Sequence, residues 1–525
     1  MSKHLKPIEV ISRYKDSGYD VRRYLESRAA IHPDSECITL EDQSLSWKEL
    51  IEEVNKTSAL LLEKGVAKGD RVAVMAENSP YYVVSYLALC NISAILVPIN
   101  PNFKAEEAEY VLNHAEVSGI VHSKSALEVV KQSSKKIKPW LLEIETLPEA
   151  VKNLSSQTPS TTPSKDDICL IMYTSGTTGF PKGVMHSQEN FILTSEAFVE
   201  RIHLQPGERV LCILPLYHIN ALFYSLGGAL ACGGTLILCS KFSASNFWNY
   251  AKEKEATEVN IIASVGNILA KRSREEFNPG HKISKIYGAP ISKDIDKVFR
   301  EEFNVSTLIE GYGMTEIPGA TVNPFFEPKI GSMGKPGRHP DHSKNFAELK
   351  IVGEDGHEVK TGEQGELYVK TPIVMKGYYK DEAKTKDSFD GEWFKTGDIV
   401  KKDDEDYYYF ISRNKDIIRR RGENISATEI DNVILTHQSV KLAATIAVPS
   451  ELGEDDILTA IVLKDGEKLE ASEIAAWCKE HLSDHKTPRY IVFKDELPLT
   501  PTLRVAKFKL KADTNLIKEA TDLSK

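Results

Sequence analysis

The chain has 525 residues, enough for more than one core, and its 66 Lys and Arg against 76 Asp and Glu leave a formal net charge of −10. With no basic block to track a nucleic-acid backbone and no apolar run of membrane-spanning length, the composition excludes nucleic acid as a partner and an integral membrane segment. Seven scattered cysteines without C-x-x-C spacing exclude a disulfide framework or zinc site, and MSKHLKPIEV lacks a signal core while TDLSK is no peroxisomal address, so a cytoplasmic protein is expected.

In chain order, a helix is predicted over 46–64, opened by a capping box of Ser46 with Glu49. The short apolar runs RVAVMA (71–76), AILVPI (94–99), RVLCILP (209–215), GTLILC (234–239), VNIIAS (259–264) and KIYGA (285–289) read as buried strands of largely parallel sheets. Amphipathic stretches between them supply covering helices, which makes the fold α/β. A Ser/Thr/Pro-rich stretch at 155–165 reads as an exposed link before the strand ICLIM. From about 350 to 410 Gly- and Asp-punctuated short strands suit antiparallel hairpins or a small barrel. After about 412 a separate α+β unit begins, with a helix opening at SATE (426–429), strands AATIAVP and ILTAIVL, and a helix over 472–482.

Four stretches carry chemistry. TSGTTGFPKG (174–183) packs hydroxyls, glycines and Lys182 after a strand, where α/β sheets bind ligands. It is not a Walker loop, because Lys182 lies between Pro181 and Gly183 and cannot open a helix there. The plain alternative is a solvated Ser/Gly loop. EGYGMTE (310–316) offers Glu316 to a hard cation and Tyr312 to a purine, or else is a Gly-rich turn with a buried tyrosine. WFKTGDIV (393–400) places Asp398 after a glycine, where it would accept ribose hydroxyls or sit in an ordinary turn. ISRNKDIIRRRGENIS (411–426) is either a solvated charged face or a hinge at the domain boundary.

In this order the four stretches resemble the adenylate-forming family of acyl-CoA synthetases, luciferases and adenylation domains, over essentially the whole chain. The resemblance implies a large N-terminal domain of two mixed or parallel sheets with a small β-barrel (1–411), then a smaller mobile α+β lid (412–525), with a hinge near 413–416. It implies an acid–thiol ligase that forms an acyl-adenylate from a carboxylic acid and ATP with Mg²⁺, then passes the acyl group to coenzyme A. It further implies nucleotide binding, a place in fatty acid metabolism and a small carboxylic acid as partner, and a homodimer is compatible with it.

Carried over by position, the resemblance assigns Thr174, Ser175, Gly176, Thr177, Thr178 and Lys182 to the ATP phosphates, Thr315 to the α-phosphate and Glu316 to Mg²⁺. Gly288, Ala289 and Pro290 with Glu310, Gly311 and Tyr312 match an adenine pocket. Asp398 and Arg413 match ribose ligands, Lys415 the hinge, and Arg421 with Gly422 the loop that turns toward the thiol. His218, in LPLYHINAL, matches a position beside the reacting carboxylate. KFSASNFWNYAKEKEAT and the YHIN segment look most like bacterial crotonobetaine/carnitine–CoA ligases. Asn220, not an acid, stands two residues after His218, which leaves a trimethylammonium head group open. The family's tail lysine is replaced in register by Arg504, which keeps the charge in a larger, planar group. Two other readings stay in play: acyl delivery to a carrier-protein thiol, and an impaired nucleotide- or acyl-binding homologue.

Overall fold

The computed structural model describes residues 4–174, 181–343, 345–413, 416–420, 423–450, 455–482, 484–500 and 505–524. The chain divides into two compact units, one of Met1–Leu349 with Val369–Phe394 and one of Lys350–Tyr368 with Lys395–Lys525.

In the first unit the six apolar runs do become strands, shared between two sheets. The nine-stranded sheet runs, edge to edge, Lys335–Pro336, Ile317–Val322, Thr307–Met314, Lys285–Ala289, Glu258–Ile262, Arg209–Cys212, Thr235–Leu238, Glu36–Leu40 and Gln43–Ser46. Its middle is parallel and both edges are antiparallel. The seven-stranded sheet runs Gly377–Tyr378, Lys182–Ser187, Ile168–Thr174, Ile95–Pro98, Arg71–Met75, Gly119–His122 and Trp140–Glu143. Arg71–Met75 shows why these strands are apolar without alternation. Val72 and Val74 face the core that the two sheets share, whereas Ala73 and Met75 face a second cluster under the helix Ala105–Ala115. The helix Trp47–Glu63 carries the expected capping box of Ser46 and Glu49.

The second unit begins with antiparallel strands. Trp393–Lys402 pairs with Tyr408–Arg413 and lies beside Gln364–Lys370, which lies beside Glu348–Val352. A hairpin of Ile417–Arg420 and Glu423–Ser426 follows. The sheet after it orders Val440–Pro449, Asp455–Leu463, Tyr490–Phe493 and Thr521–Asp522. Ser426 caps the helix Ala427–Leu435, which packs with Ala471–His481 on one face of that sheet through Ile430, Ile434, Ile474 and Cys478. Leu510 and Leu516 close the other face. No described helix is long and apolar enough to cross a membrane.

Candidate functional site

Thr174 ends the strand Ile168–Thr174 and Lys182 opens Lys182–Ser187, and the two are register partners. The predicted phosphate loop therefore leaves and re-enters the sheet at facing positions. Ser175, Gly176, Thr177 and Thr178 lie outside the described residues. Lys182 leads into a strand rather than a helix, as expected from its Pro and Gly neighbours.

Gly377–Tyr378 pairs with the other edge of Lys182–Ser187. The Tyr378 ring centroid lies 5.4 Å from Lys182 Nζ, and its hydroxyl donates to Glu316 Oε1 at 2.9 Å. Burial first, and then Glu316, push the Tyr378 hydroxyl well above the ordinary phenol range, so it stays a donor. Thr315 and Glu316 form the two-residue turn between Thr307–Met314 and Ile317–Val322, with Met314 opposite Ile317. Glu316 is buried, and its carbonyl accepts from Met375 N at 2.8 Å. Lys182, Tyr378 and Glu316 thus run in line from the phosphate loop to a hairpin tip.

His186, on the Lys182 strand and fully buried, meets the Thr315 carbonyl through Nε2 at 2.7 Å. A carbonyl only accepts, so this nitrogen carries the proton. Burial pushes the imidazole down to about 4, which keeps it neutral at physiological pH.

Of the residues matched to an adenine pocket, Gly288 and Glu310 are register partners in adjacent parallel strands, and Ala289 pairs with Ile262 at the same carboxyl edge. The peptide between Ala289 and Pro290 is cis. The stretch Glu310, Gly311, Tyr312 belongs to the strand Thr307–Met314 rather than to a turn, because its apolar start continues into pairing with Ile317–Val322. Tyr312 is half-buried, with its hydroxyl 4.0 Å from Met314 Sδ. Burial pushes the Glu310 carboxyl up to about 8, although the backbone amides of Ile291 and Gly331 pull it part of the way back. Burial thus favours the protonated, neutral form of Glu310 in the folded chain.

His218 and Asn220 follow the strand Arg209–Cys212 in the same sheet. His218 N bonds Pro215 O at 3.0 Å, and Asn220 opens a π-helix, Asn220–Leu226, a geometry often found at functional sites. The Asn220 Oδ1 is buried without a hydrogen-bond partner among the described residues. A buried orphan of this kind suits a polar ligand atom. Buried Asn78 fixes the preceding loop, donating to Leu214 O at 3.0 Å and Cys239 O at 3.1 Å and accepting from Leu216 N at 2.8 Å.

In the second unit Asp398 and Arg413 face each other across paired strands, and Arg413 Nε lies 3.1 Å from Asp398 Oδ1. The T-G-D triplet is not a turn but a kink inside the strand Trp393–Lys402, with Gly397 at φ +71° and its N–H on Glu366 Oε1 at 2.9 Å. Lys415, Arg421, Gly422 and Arg504 lie outside the described residues.

Three residues of this arrangement carry no signal in the sequence: Tyr378, His186 and Asn78. Nothing in MKGYYKDE singles out Tyr378, and its partner Glu316 is 62 positions away. A buried His and Asn in PKGVMHS and AENSP resemble any satisfied core polar residue.

The AMP-binding enzyme family matches residues 25–379, and the AMP-binding enzyme C-terminal domain matches residues 429–503. The 2-succinylbenzoate–CoA ligase of Bacillus licheniformis is 31% identical over 94% of this chain and 99% of its own length. The crotonobetaine/carnitine–CoA ligase of Salmonella paratyphi C is 28% identical over 94% of this chain and 99% of its own. Among solved structures, ATP-bound MatB from Rhodopseudomonas palustris superimposes with a TM-score of 0.85 at 25% identity, covering 94% of this chain and 98% of that one. The chain belongs to the AMP-binding enzyme family.

Proposed function

We propose that the chain is an AMP-forming acyl-CoA ligase. It joins a small carboxylic acid to the α-phosphate of ATP, releasing pyrophosphate, and then transfers the acyl group from AMP to the thiol of coenzyme A. The observation that carries this reading is the line of Lys182, Tyr378 and Glu316, with Thr315 beside it, in a chain matched by both parts of the AMP-binding family.

Thr174, the loop after it and Lys182 take the polyphosphate, and Thr315 takes the α-phosphate. Glu316 suits Mg²⁺, since a hard cation prefers carboxylate oxygens and this buried carboxylate is oriented by the Tyr378 hydroxyl. When bound, Mg²⁺ neutralises phosphate charge as pyrophosphate leaves. Gly288, Ala289, Pro290, Glu310, Gly311 and Tyr312 form the adenine wall. A protonated Glu310 adds no negative charge near the nucleotide. Asp398 and Arg413 hold the ribose, and Lys415 serves as the hinge. Arg421 and Gly422 face the thiol donor, while Arg504 supplies the adenylation cation. His218 and Asn220 line the acyl pocket. The free cysteines suit the cytoplasm, and a homodimer would show in light scattering.

Pyrophosphate release across a panel of carboxylic acids, with and without CoA, tests the reading. Acid-dependent release followed by CoA-dependent thioester is expected. Release whose acyl group reaches only a carrier-protein thiol, or none with any acid, would overturn it.

A further inference from the structure

The strand that starts at Lys182 continues directly into the helix Gln188–Ile202, and this strand–helix unit carries a second buried donor group besides His186. Arg201, in the helix's last turn, is buried, and its Nη2 donates to Pro318 O and Gly319 O, each at 3.1 Å. The turn that presents Glu316 is therefore held on both sides. His186 takes the carbonyl of Thr315 before it, and Arg201 takes two carbonyls after it.

The grip on the far strand is close. Gly319 lies at φ +99°, and a Cβ there would fall 1.8 Å from Arg201 Nη2. The Tyr224 ring centroid is 5.1 Å from the guanidinium carbon, so the cation packs on an aromatic face. Asn190, in the first turn of the same helix, donates to Pro372 O at 3.0 Å and Val374 O at 3.3 Å. Met375, the next residue, bonds the Glu316 carbonyl. His186 and Arg201 link the strand–helix unit behind Lys182 directly to the segment 315–319, and Asn190 reaches it through Pro372–Met375.

We propose that His186 and Arg201 are positioning residues for the first half-reaction, holding Thr315 and Glu316 in fixed register with Lys182. The inference rests on the reading of Thr315 and Glu316 as the phosphate and Mg²⁺ groups. Neither residue need touch substrate. Misplacing a reacting group by about 1 Å can cost on the order of 100-fold, so two buried carbonyl anchors are enough to matter.

The test compares His186→Phe, which keeps the ring against Phe223 (centroids 5.3 Å apart) but removes the donor, with His186→Gln, which restores an N–H. In His186→Phe adenylate formation should fall at least tenfold, and the Mg²⁺ concentration giving half-maximal rate should rise at least threefold, an order-of-magnitude expectation for a displaced ligand. Calorimetric binding of Mg·ATP should weaken in parallel. Thioester formation from supplied acyl-adenylate should stay within about twofold, and His186→Gln should recover most of the loss. Arg201→Lys, which keeps the charge but not the fork, should shift the Mg²⁺ requirement the same way if His186→Phe does not fold. Equal losses in both half-reactions, or an unchanged Mg²⁺ requirement in a folded His186→Phe, would overturn the clamp. If the unmodified chain releases no pyrophosphate with any acid, the functional reading fails instead. Amide exchange then decides the clamp alone. It should be at least about tenfold faster across 316–319 in His186→Phe and unchanged in the strand Ile168–Thr174. Equal exchange in both proteins would remove it.

Discussion

Glu316 and Asp398 are both buried carboxylates set beside a left-handed glycine, yet their surroundings differ. Near Glu316, Gly319 is pressed against Arg201, and the carboxylate accepts a hydrogen bond from buried Tyr378. Near Asp398, a Cβ on Gly397 would meet nothing within 4 Å, and the ionic partner Arg413 has a side chain 40% exposed. The first carboxylate is fixed by the protein interior. The second is paired with a cation that solvent reaches.

Substituting Gly319 breaks the comparison most strongly. Gly319→Ala combines backbone strain with overpacking against Arg201 and should cost about 2–5 kcal/mol in urea unfolding. Adenylate formation should be lost with it. Tyr378→Phe removes a donor to a buried carboxylate, worth about 1.5–3 kcal/mol, and should raise the Mg²⁺ requirement for pyrophosphate release while leaving thioester formation from preformed adenylate intact. Lys182→Ala should weaken productive ATP binding by a similar amount, about 1.5–3 kcal/mol, measured by ATP titration of pyrophosphate release. Its unfolding midpoint should barely move. Gly397→Ala should cost only about 1–2 kcal/mol of stability, because the strain is local and the space is open.

A separate prediction concerns pH. Folding raises the Glu310 carboxyl to about 8, so between its ordinary carboxylate range and that value the folded chain holds a proton that the unfolded chain has lost. The stability this contributes is fully present below the unfolded pKa and is lost as pH rises through about 8. Glu310→Gln should flatten that decline in urea midpoints measured from pH 5 to pH 8.5 (roughly the titration window). An unchanged slope would place the titration elsewhere.

Most of the fold was legible because its signals are local. The apolar runs, the capping box of Ser46 and Glu49 and the helix opening after Ser426 each occupy a few consecutive residues. The ends of the phosphate loop and the residues of EGYGMTE were legible as composition, although a glycine-rich stretch hid that Glu310, Gly311 and Tyr312 extend a strand. What the sequence did not show is how these pieces are locked. Tyr378 reaches Glu316, His186 reaches Thr315 and Arg201 reaches Pro318 across separations of 62, 129 and 117 residues. A tyrosine on a short strand and a cation at a helix end look the same in sequence whether they face solvent or an interior oxygen. The exposed reading of the charge run was only half useful, because Arg413 is partly exposed and still pairs with Asp398.

The most direct test of an acyl-AMP intermediate follows oxygen. A carboxylic acid labelled with ¹⁸O in both carboxyl oxygens is turned over with ATP and CoA, and the products are weighed by mass spectrometry. Attack of the carboxylate on the α-phosphate leaves one labelled oxygen in AMP once CoA displaces the nucleotide, and none in pyrophosphate. Label in inorganic phosphate with ADP as the nucleotide product, or unlabelled AMP, would contradict it.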